Sequence, residues 1–195
     1  MDFSSIKKHL SKYTVGIAGA GGLGSNCAIS LSRSGVGTLV IADFDKIEEP
    51  NLNRQYFFMD QIGQFKAEAL KNNIEKTGSG AKVIFHIIKL SKNNIPEIFK
   101  DCDVIVEAFD LAESKEMLAD TVQTKLPGIP LVLASGLAGW GNNETIKFRK
   151  IDNLLYACGD ESSEASADLP PLAPRVGIVA NMQANAVLEI LMNKL

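Results

Sequence analysis

The stretch VGIAGAGGLGSN, residues 15–26, constrains the fold of this chain more than any other feature. A short apolar run leads into a glycine cluster with the spacing G-x-G-x-x-G. In a strand–turn–helix unit of this kind, glycines permit a tight turn and let the backbone approach phosphate oxygens, while the helix N-terminus offers unpaired N–H groups. A turn that only joins strand to helix is the structural alternative. The pattern predicts a nucleotide-binding turn, and its candidate residues are Gly19, Gly21, Gly22 and Gly24.

Continuous apolar runs alternate with helical patterns along the rest of the chain. We predict strands at residues 15–18, 38–43, 81–88, 102–109 and 129–136, and helices at about 24–34, 63–78, 94–99, 111–126 and from 176 onward. Residues 144–151 alternate apolar and polar side chains, as an edge strand does. The predicted fold class is α/β: a Rossmann-like, doubly wound, mainly parallel sheet with a few antiparallel edge strands. One domain spans residues 1–195, with an N-terminal arm over 1–13 and a mobile crossover loop over 157–174.

The composition narrows the class of protein. Of the 195 residues, 46% are hydrophobic and 22% are charged, and the net charge is −3. These values are typical of a globular protein and argue against a general nucleic-acid binder. No signal-peptide or membrane-span pattern stands out, so we expect neither. Cys27, Cys102 and Cys158 form no C-x-x-C pair, which predicts no zinc site and a cytoplasmic location.

The polar loop after the second predicted strand bears on which nucleotide is bound. Asp43, at the end of that strand, can accept hydrogen bonds from the ribose of either NAD or ATP. Arg54 then lies within a dense polar loop, and Lys66 follows in GQFKA. A triphosphate attacked by a carboxylate needs such cations because two anions must approach each other, whereas NAD needs fewer. A solvated lysine on a helix face is the alternative for Lys66. The candidate polar residues are Asp43, Asp45, Asn51, Arg54, Gln55 and Lys66.

Asp110 follows the fourth predicted strand in VIVEAFD. In a parallel sheet this is the end where ligands bind, and a carboxylate there could bridge through Mg²⁺ to phosphates. Capping of the next helix is the alternative role for this side chain. Asp110 is therefore a candidate metal ligand and catalytic residue.

Four motifs occur in sequence order: GAGGLGS, DFDKIEEPNLNRQ, GQFKA and the aspartate of VEAFD. Together with the downstream APRVGIVANMQANAVLEIL, they resemble the ThiF/MoeB/HesA family, the bacterial relatives of ubiquitin-activating enzymes. The resemblance covers most of the chain, and NLNRQ is its most specific part. The chain is most similar to the compact ThiF-type branch, the sulfur carrier protein adenylyltransferases of thiamine biosynthesis.

The resemblance implies an ATP- and Mg²⁺-dependent enzyme that adenylates the C-terminal glycine of a small ubiquitin-fold sulfur carrier ending in Gly-Gly. It also implies a homodimer. No general base is needed, since a C-terminal carboxylate is already ionised at neutral pH. The implied roles are phosphate contact by Gly21 and its neighbours, ribose binding by Asp43, positioning of phosphates by Asn51 and Gln55, stabilisation of the triphosphate by Arg54 and Lys66, and Mg²⁺ binding by Asp110.

The sequence departs from the family pattern at three points. The paired C-x-x-C motifs that hold zinc in many relatives are absent. No arginine precedes Arg33, so one of the early lysines would replace the arginine that relatives extend into the partner's ATP site. Cys158 is the only cysteine of the 157–174 loop and hence the candidate for sulfur handling, with an inert buried thiol as the alternative. We expect the acidic residues of this loop to line the path of the carrier's tail: Asp160, Glu161, Glu164 and Asp168.

Other functions remain possible at this stage. The acceptor could be a molybdopterin carrier or the tRNA of the dehydratases that share this chemistry, although the acidic charge argues against tRNA. An NAD-dependent oxidoreductase would leave NLNRQ and Lys66 unexplained. An inactive module that docks a carrier is a further alternative, against which the intact motifs argue. The apolar residues 56–59, YFFM, also favour a dimer if they lie near the surface.

Overall fold

The fold is an α/β sandwich around one seven-stranded sheet, seen in a computed structural model that describes residues 2–160 and 165–194. The strand order is β3-β2-β1-β4-β5-β7-β6. All neighbouring strands pair in parallel except β6 and β7, which are antiparallel. The strands are β1 Thr14–Ala18, β2 Thr38–Ala42, β3 Lys82–His86, β4 Val104–Glu107, β5 Leu131–Ser135, β6 Lys147–Lys150 and β7 Leu155–Gly159. The Rossmann-like class predicted from the sequence is confirmed.

Helices cover both faces of the sheet. They are α1 Phe3–Leu10, α2 Gly22–Ser34, α3 Lys66–Lys76, α4 Ile95–Phe99, α5 Ala112–Lys125 and α6 Ala173–Met192, with short 3₁₀ turns at Glu49–Asn51, Met59–Gln61 and Asn143–Thr145. Helices α1, α2, α3 and α6 share one hydrophobic core on the first face, and α4 and α5 share a second core on the other. None of the described helices is both long and apolar enough to cross a bilayer.

Close packing explains one glycine inside a strand. A Cβ atom at Gly16, in the middle of β1, would lie 2.7 Å from Cδ1 of Phe99, which is fully buried in α4. The ring therefore occupies the space that any larger residue at position 16 would need. This contact holds α4 directly on the central strand of the sheet.

The two ends of the chain pack together. Leu10 of α1 is buried, and Nε2 of His9 lies 3.0 Å from the carbonyl oxygen of Leu191 in α6. The segment predicted as an N-terminal arm contains α1, and the C-terminal end of this helix packs on the core rather than extending away from it.

Three predicted boundaries are wrong: both ends of the 157–174 loop and the start of the helix predicted from residue 63. The loop predicted over residues 157–174 begins inside β7, since Leu155–Gly159 pairs along its whole length with β5. The loop also ends earlier than predicted, because α6 already begins at Ala173. The helix predicted from residue 63 begins at Lys66, after Gly63 adopts a left-handed φ of 88°.

Candidate nucleotide site

The glycine turn that joins β1 to α2 leaves no room for a Cβ atom at positions 19 and 24. Gly19 has a φ of 102°, and a Cβ atom there would lie 2.7 Å from the carbonyl oxygen of Ala108. A Cβ atom at Gly24 would lie 1.9 Å from the carbonyl oxygen of Gly19. Gly21 is the N-cap residue of α2, and no side chain caps this helix end. The backbone N–H groups of the first turn of α2 are thus available to an anion, as the sequence predicts.

Asp43 follows β2 and faces the same turn. Its Oδ2 accepts a hydrogen bond from the N–H of Ala20 at 2.6 Å, and its Oδ1 accepts one from the N–H of Asp45 at 2.7 Å. Burial raises the pKa of Asp43, while the two N–H donors and the charge of Lys66 act in the opposite direction. The remaining lone pairs of this fixed carboxylate can accept hydrogen bonds from ribose hydroxyls.

The loop after β2 brings Arg54 and Gln55 to the glycine turn. A Cβ atom at Gly22 would lie 3.5 Å from Cγ of Arg54, and one at Gly21 would lie 3.7 Å from Nε2 of Gln55. Gln55 is buried, and its Oε1 has no hydrogen-bond partner among the described residues. A buried amide oxygen without a partner costs free energy, which a bound ligand or a water can recover.

Arg54 is only partly engaged by the protein. Its Nη1 donates to the carbonyl oxygen of Pro50 at 3.2 Å and to Oδ1 of Asn53 at 2.8 Å. Within residues 2–160 and 165–194, no carboxylate forms an ion pair with it. A guanidinium group has five donors, so this side chain retains the charge and donors to bind a phosphate.

Asn51 shapes the loop from within. Its Oδ1 accepts a hydrogen bond from the N–H of Glu48 at 3.0 Å, and its carbonyl oxygen accepts from the N–H groups of Arg54 and Gln55. These contacts are to the protein backbone. The role of Asn51 supported by the geometry is to fold the loop that carries Arg54 and Gln55.

Lys66 is buried rather than solvated, which contradicts the alternative of a lysine on an exposed helix face. Its Nζ lies 2.9 Å from Oδ2 of Asp45, whose side chain is 49% exposed. Its charge also offsets part of the rise that burial causes in the pKa of Asp43. The structure therefore brings Asp43, Asp45 and Lys66 together beside the glycine turn.

Asp110 lies beyond the end of β4 on an exposed turn. The alternative role as a helix cap is wrong, because Leu111 is the N-cap residue of α5 and no side chain caps that helix. In the described part of the chain, no hydrogen bond or ion pair involves the Asp110 carboxylate, and no group of three potential metal ligands occurs. A lone carboxylate suits Mg²⁺, which commonly takes one or two protein carboxylates together with substrate phosphates and waters.

A buried ion pair that the sequence analysis missed holds this turn. Nζ of Lys115 lies 3.0 Å from both carboxylate oxygens of Glu107, which also accept the N–H groups of Phe109 at 2.7 Å and Ala134 at 3.3 Å. Burial raises the pKa of Glu107 although Lys115 and the backbone donors counteract it. The sequence does signal this contact, because Glu107 is an acidic residue inside the apolar run VIVEAF and a buried carboxylate needs a partner.

The 157–174 loop differs most from its sequence interpretation. Cys158 lies inside β7 and is 1% exposed, and burial raises the pKa of its thiol to about 12. Asp160 is also buried, with Oδ2 2.5 Å from Nη2 of Arg175 in α6, so it cannot line a path for a carrier's tail. Asp168 is exposed, whereas Glu161 and Glu164 lie outside the described residues.

Comparison with known proteins settles the family. A model of the ThiF family matches residues 4–194. The chain belongs to the ThiF family. The resemblance recognised in the four motifs is confirmed.

Curated relatives match over nearly the whole chain. "Adenylyltransferase and sulfurtransferase MOCS3" of Caenorhabditis briggsae is 35% identical over 193 residues, which is 95% of this chain and 47% of the relative. "Probable adenylyltransferase/sulfurtransferase MoeZ" of Mycobacterium tuberculosis is 28% identical, over 95% of this chain and 45% of the relative. The chain thus spans less than half the length of the curated relatives that it matches.

Solved structures share the fold. E. coli tRNA N6-threonylcarbamoyladenosine dehydratase, TcdA, in complex with ATP has a TM-score of 0.86 at 19% identity, with 97% of this chain and 90% of that chain covered. E. coli MccB has a TM-score of 0.74 at 22% identity, over 95% of this chain and 58% of that chain. These likenesses show that the chain shares the overall fold of those proteins.

Proposed function

We propose that this protein is an ATP-dependent adenylyltransferase that activates the C-terminal carboxylate of a small ubiquitin-fold carrier. The observation that carries the proposal is the placement of Arg54, without a carboxylate partner among the described residues, against the first turn of α2. A triphosphate on that helix end would meet both the free N–H groups and a guanidinium group. The relatives named as adenylyltransferases and the ATP complex of TcdA support the same choice of nucleotide.

The proposed reaction is one displacement at the α-phosphorus of ATP. A carboxylate oxygen of the acceptor forms a bond to that phosphorus, the bond to the bridging oxygen of the β-phosphate breaks, and pyrophosphate leaves. The acceptor becomes an acyl adenylate. No proton has to be removed, since the carboxylate is ionised at neutral pH. Catalysis then consists of positioning and electrostatic stabilisation, for which Arg54 and Lys66 supply positive charge.

Asp110 would hold Mg²⁺, because its exposed carboxylate is unpaired within the described residues and lies at the same edge of the sheet. The bound ion would neutralise charge on the phosphates. Asp43 binds the ribose in this proposal, and Gln55 supplies a buried amide beside the phosphates. No zinc site is part of it.

The acceptor proposed is a sulfur carrier that ends in Gly-Gly. The names of the curated relatives join adenylyltransferase to sulfurtransferase activity, which supports a carrier that receives sulfur. A ThiS-like carrier of thiamine biosynthesis and a molybdopterin carrier are the two leading acceptors, and each ends in a carboxylate that the reaction can use.

Exchange of labelled pyrophosphate into ATP tests the proposal directly. We expect exchange that requires one carrier of a panel of purified Gly-Gly-ending carriers, and mass spectrometry should detect that carrier with an added AMP. The same carrier without its last two glycines is the matched control and should give no exchange. Micromolar binding of NAD without binding of ATP would contradict the proposal. If the protein adenylated a carboxylate on tRNA and none of the carriers, the proposed reaction would stand but its acceptor would be different.

A further inference from the structure

Two neighbouring side chains of α2 connect the glycine turn to the loop that carries Arg54. Nδ2 of Asn26 donates to the carbonyl oxygen of Gly22 at 2.7 Å and to the carbonyl oxygen of Arg54 at 2.9 Å. Oγ of Ser25 donates to the carbonyl oxygen of Gly21 at 2.6 Å and accepts from the N–H of Tyr56 at 3.0 Å. The main chain on both sides of Gln55 is thus bonded to the helix end that would hold the phosphates.

The chemistry of these contacts requires an amide at position 26. Both neighbours of Nδ2 are carbonyl oxygens, so only the NH₂ group of the asparagine, which has two hydrogens, can satisfy both. A carboxylate or an apolar side chain there would leave the carbonyl oxygen of Arg54 without this donor. Ser25 is fully buried and Asn26 is half-buried, so water competes weakly for these bonds.

We propose that Asn26 is a positioning residue that fixes the main chain of Arg54 against the first turn of α2. The inference rests on the proposed function, because Arg54 acts on the triphosphate there. Its guanidinium group lies at the end of a flexible stem, and among the described residues it donates hydrogen bonds only to Pro50 and Asn53. Fixing the main chain limits where the guanidinium can be, and small displacements of such a group reduce rates strongly.

A double-mutant cycle on pyrophosphate exchange tests the proposal. Asn26→Leu should lower kcat by roughly tenfold to a hundredfold, as misplacement of a catalytic group does, with little change in the KM for the carrier. In the Arg54→Ala background the same change should cost less than about twofold, because the group that Asn26 positions is already gone. Asn26→Ala provides a second variant if the leucine disturbs folding, which the melting temperature reveals.

Asn181 supplies a matched control. Its Nδ2 donates to the carbonyl oxygen of Gly177, four residues earlier in α6, at 2.7 Å, which reproduces the bond from Asn26 to Gly22 without a contact to Arg54. Asn181→Leu should leave kcat unchanged. If Asn26→Leu lowered kcat by the same factor in the wild-type and the Arg54→Ala backgrounds, the proposal would be overturned. The asparagine would then act on stability or on another group.

Hydrogen exchange separates this proposal from the proposed function. In the protein without nucleotide, Asn26→Leu should speed amide exchange in a peptide that covers residues 52–58, whereas Asn181→Leu should not. Amide exchange can be measured even if the wild-type protein adenylates none of the carriers. That failure would contradict the proposed function but not the positioning role of Asn26. If Asn26→Leu left the amide hydrogen exchange of residues 52–58 unchanged, the positioning role would be overturned, whatever reaction the protein catalyses.

Discussion

Lys66 is the first residue of α3, and its charged side chain is 8% exposed. The partner that makes this burial possible is Asp45, whose carboxylate remains half in water. Removal of the lysine would therefore leave an anion that solvent can still stabilise, so the cost in folding free energy is small. The same lysine lies near Asp43, where its charge offsets part of the rise that burial causes in the pKa of that carboxyl group, and thus near the proposed ribose and phosphates.

Arg54→Ala and Lys66→Ala should each lower adenylation by about a hundredfold or more, as loss of a charge contact in a transition state does. The melting temperature should change little, because neither side chain fills the hydrophobic core. Lys71→Ala is the control, since Lys71 pairs with Glu75 on the surface of the same helix at 3.4 Å. Pyrophosphate exchange measures the rate of each variant, and thermal melting curves measure its stability. Intact catalysis with a large drop in melting temperature would make both residues structural.

The cysteines should be chemically inert in the folded protein. Burial raises the pKa of Cys102 and of Cys158 to about 12, and it raises that of Cys27 further above its ordinary range. At pH 8 a thiol with such a pKa is ionised to only about one part in ten thousand. Iodoacetamide should label none of the three within an hour in buffer and all three in guanidinium chloride. Cys158→Ala should leave pyrophosphate exchange intact, and abolished exchange would place this thiol in the chemistry.

At the scale of the element, α2 depends on glycine at its first turn. The glycines at positions 19 and 24 pack backbone against backbone, and the Cβ of any other residue at position 24 would overlap the carbonyl oxygen of Gly19. At Gly177, in the first part of α6, a Cβ atom would have no atom of the described residues within 4 Å, apart from its own stretch of helix.

A matched pair of substitutions follows from this contrast. Gly24→Ala should prevent the turn from forming, with loss of nucleotide binding and a melting temperature that falls by many degrees. Gly177→Ala should raise the free energy of unfolding by about 0.5–1 kcal/mol, since alanine favours the helix. Urea unfolding measures both. If Gly24→Ala left the free energy of unfolding unchanged, the turn would be able to open at no cost in stability.

The turn between β4 and α5 depends on charge instead. Lys115→Met would leave the Glu107 carboxylate buried without a cation, which costs about 3–5 kcal/mol. The pKa of Glu107, already raised by burial, would rise further. Between the ordinary value near 4.3 and this raised value the folded state binds more protons than the unfolded state, so stability falls as the pH rises.

Urea unfolding of Lys115→Met should therefore show a greater loss of stability at pH 8 than at pH 5, relative to the wild type. The double variant Glu107→Gln with Lys115→Met lacks the titrating carboxylate and should lose this dependence. The same loss at both pH values would show that the ion pair does not set the stability of the turn.

The motifs could be read from the sequence because they are local, and the contacts that complete the site could not because they are distant. The close approach of Gly24 to Gly19 and the hydrogen bond from Arg54 to Asn53 each join residues of one motif. Strand β7 was missed because LYACG carries little signal of its own and becomes a strand by pairing with β5. The burial of Asp160 depends likewise on Arg175, fifteen residues later, and a count of charges in the loop could not reveal it.

At the scale of the whole molecule, exposed apolar side chains favour self-association. Phe57 of the YFFM segment is buried, whereas Phe58 is 51% and Met59 68% exposed. We therefore expect a homodimer by light scattering at micromolar concentration, and Met59→Lys should shift it toward the monomer because the charge would be buried at the interface. Glu68→Lys, an exposed change on α3, is the control. A monomeric mass for the wild type would contradict the expectation.

The outer strand of the sheet restricts how such copies can meet. Strand β6 ends the sheet with the residues KFRK, and all four side chains are exposed. Two molecules that joined their sheets at this edge would bring Lys147 and Lys150 of one copy close to the same two lysines of the other. That repulsion opposes the continuous edge-to-edge growth from which fibrous aggregates form. The basic side chains of β6 therefore oppose self-association through this edge of the sheet.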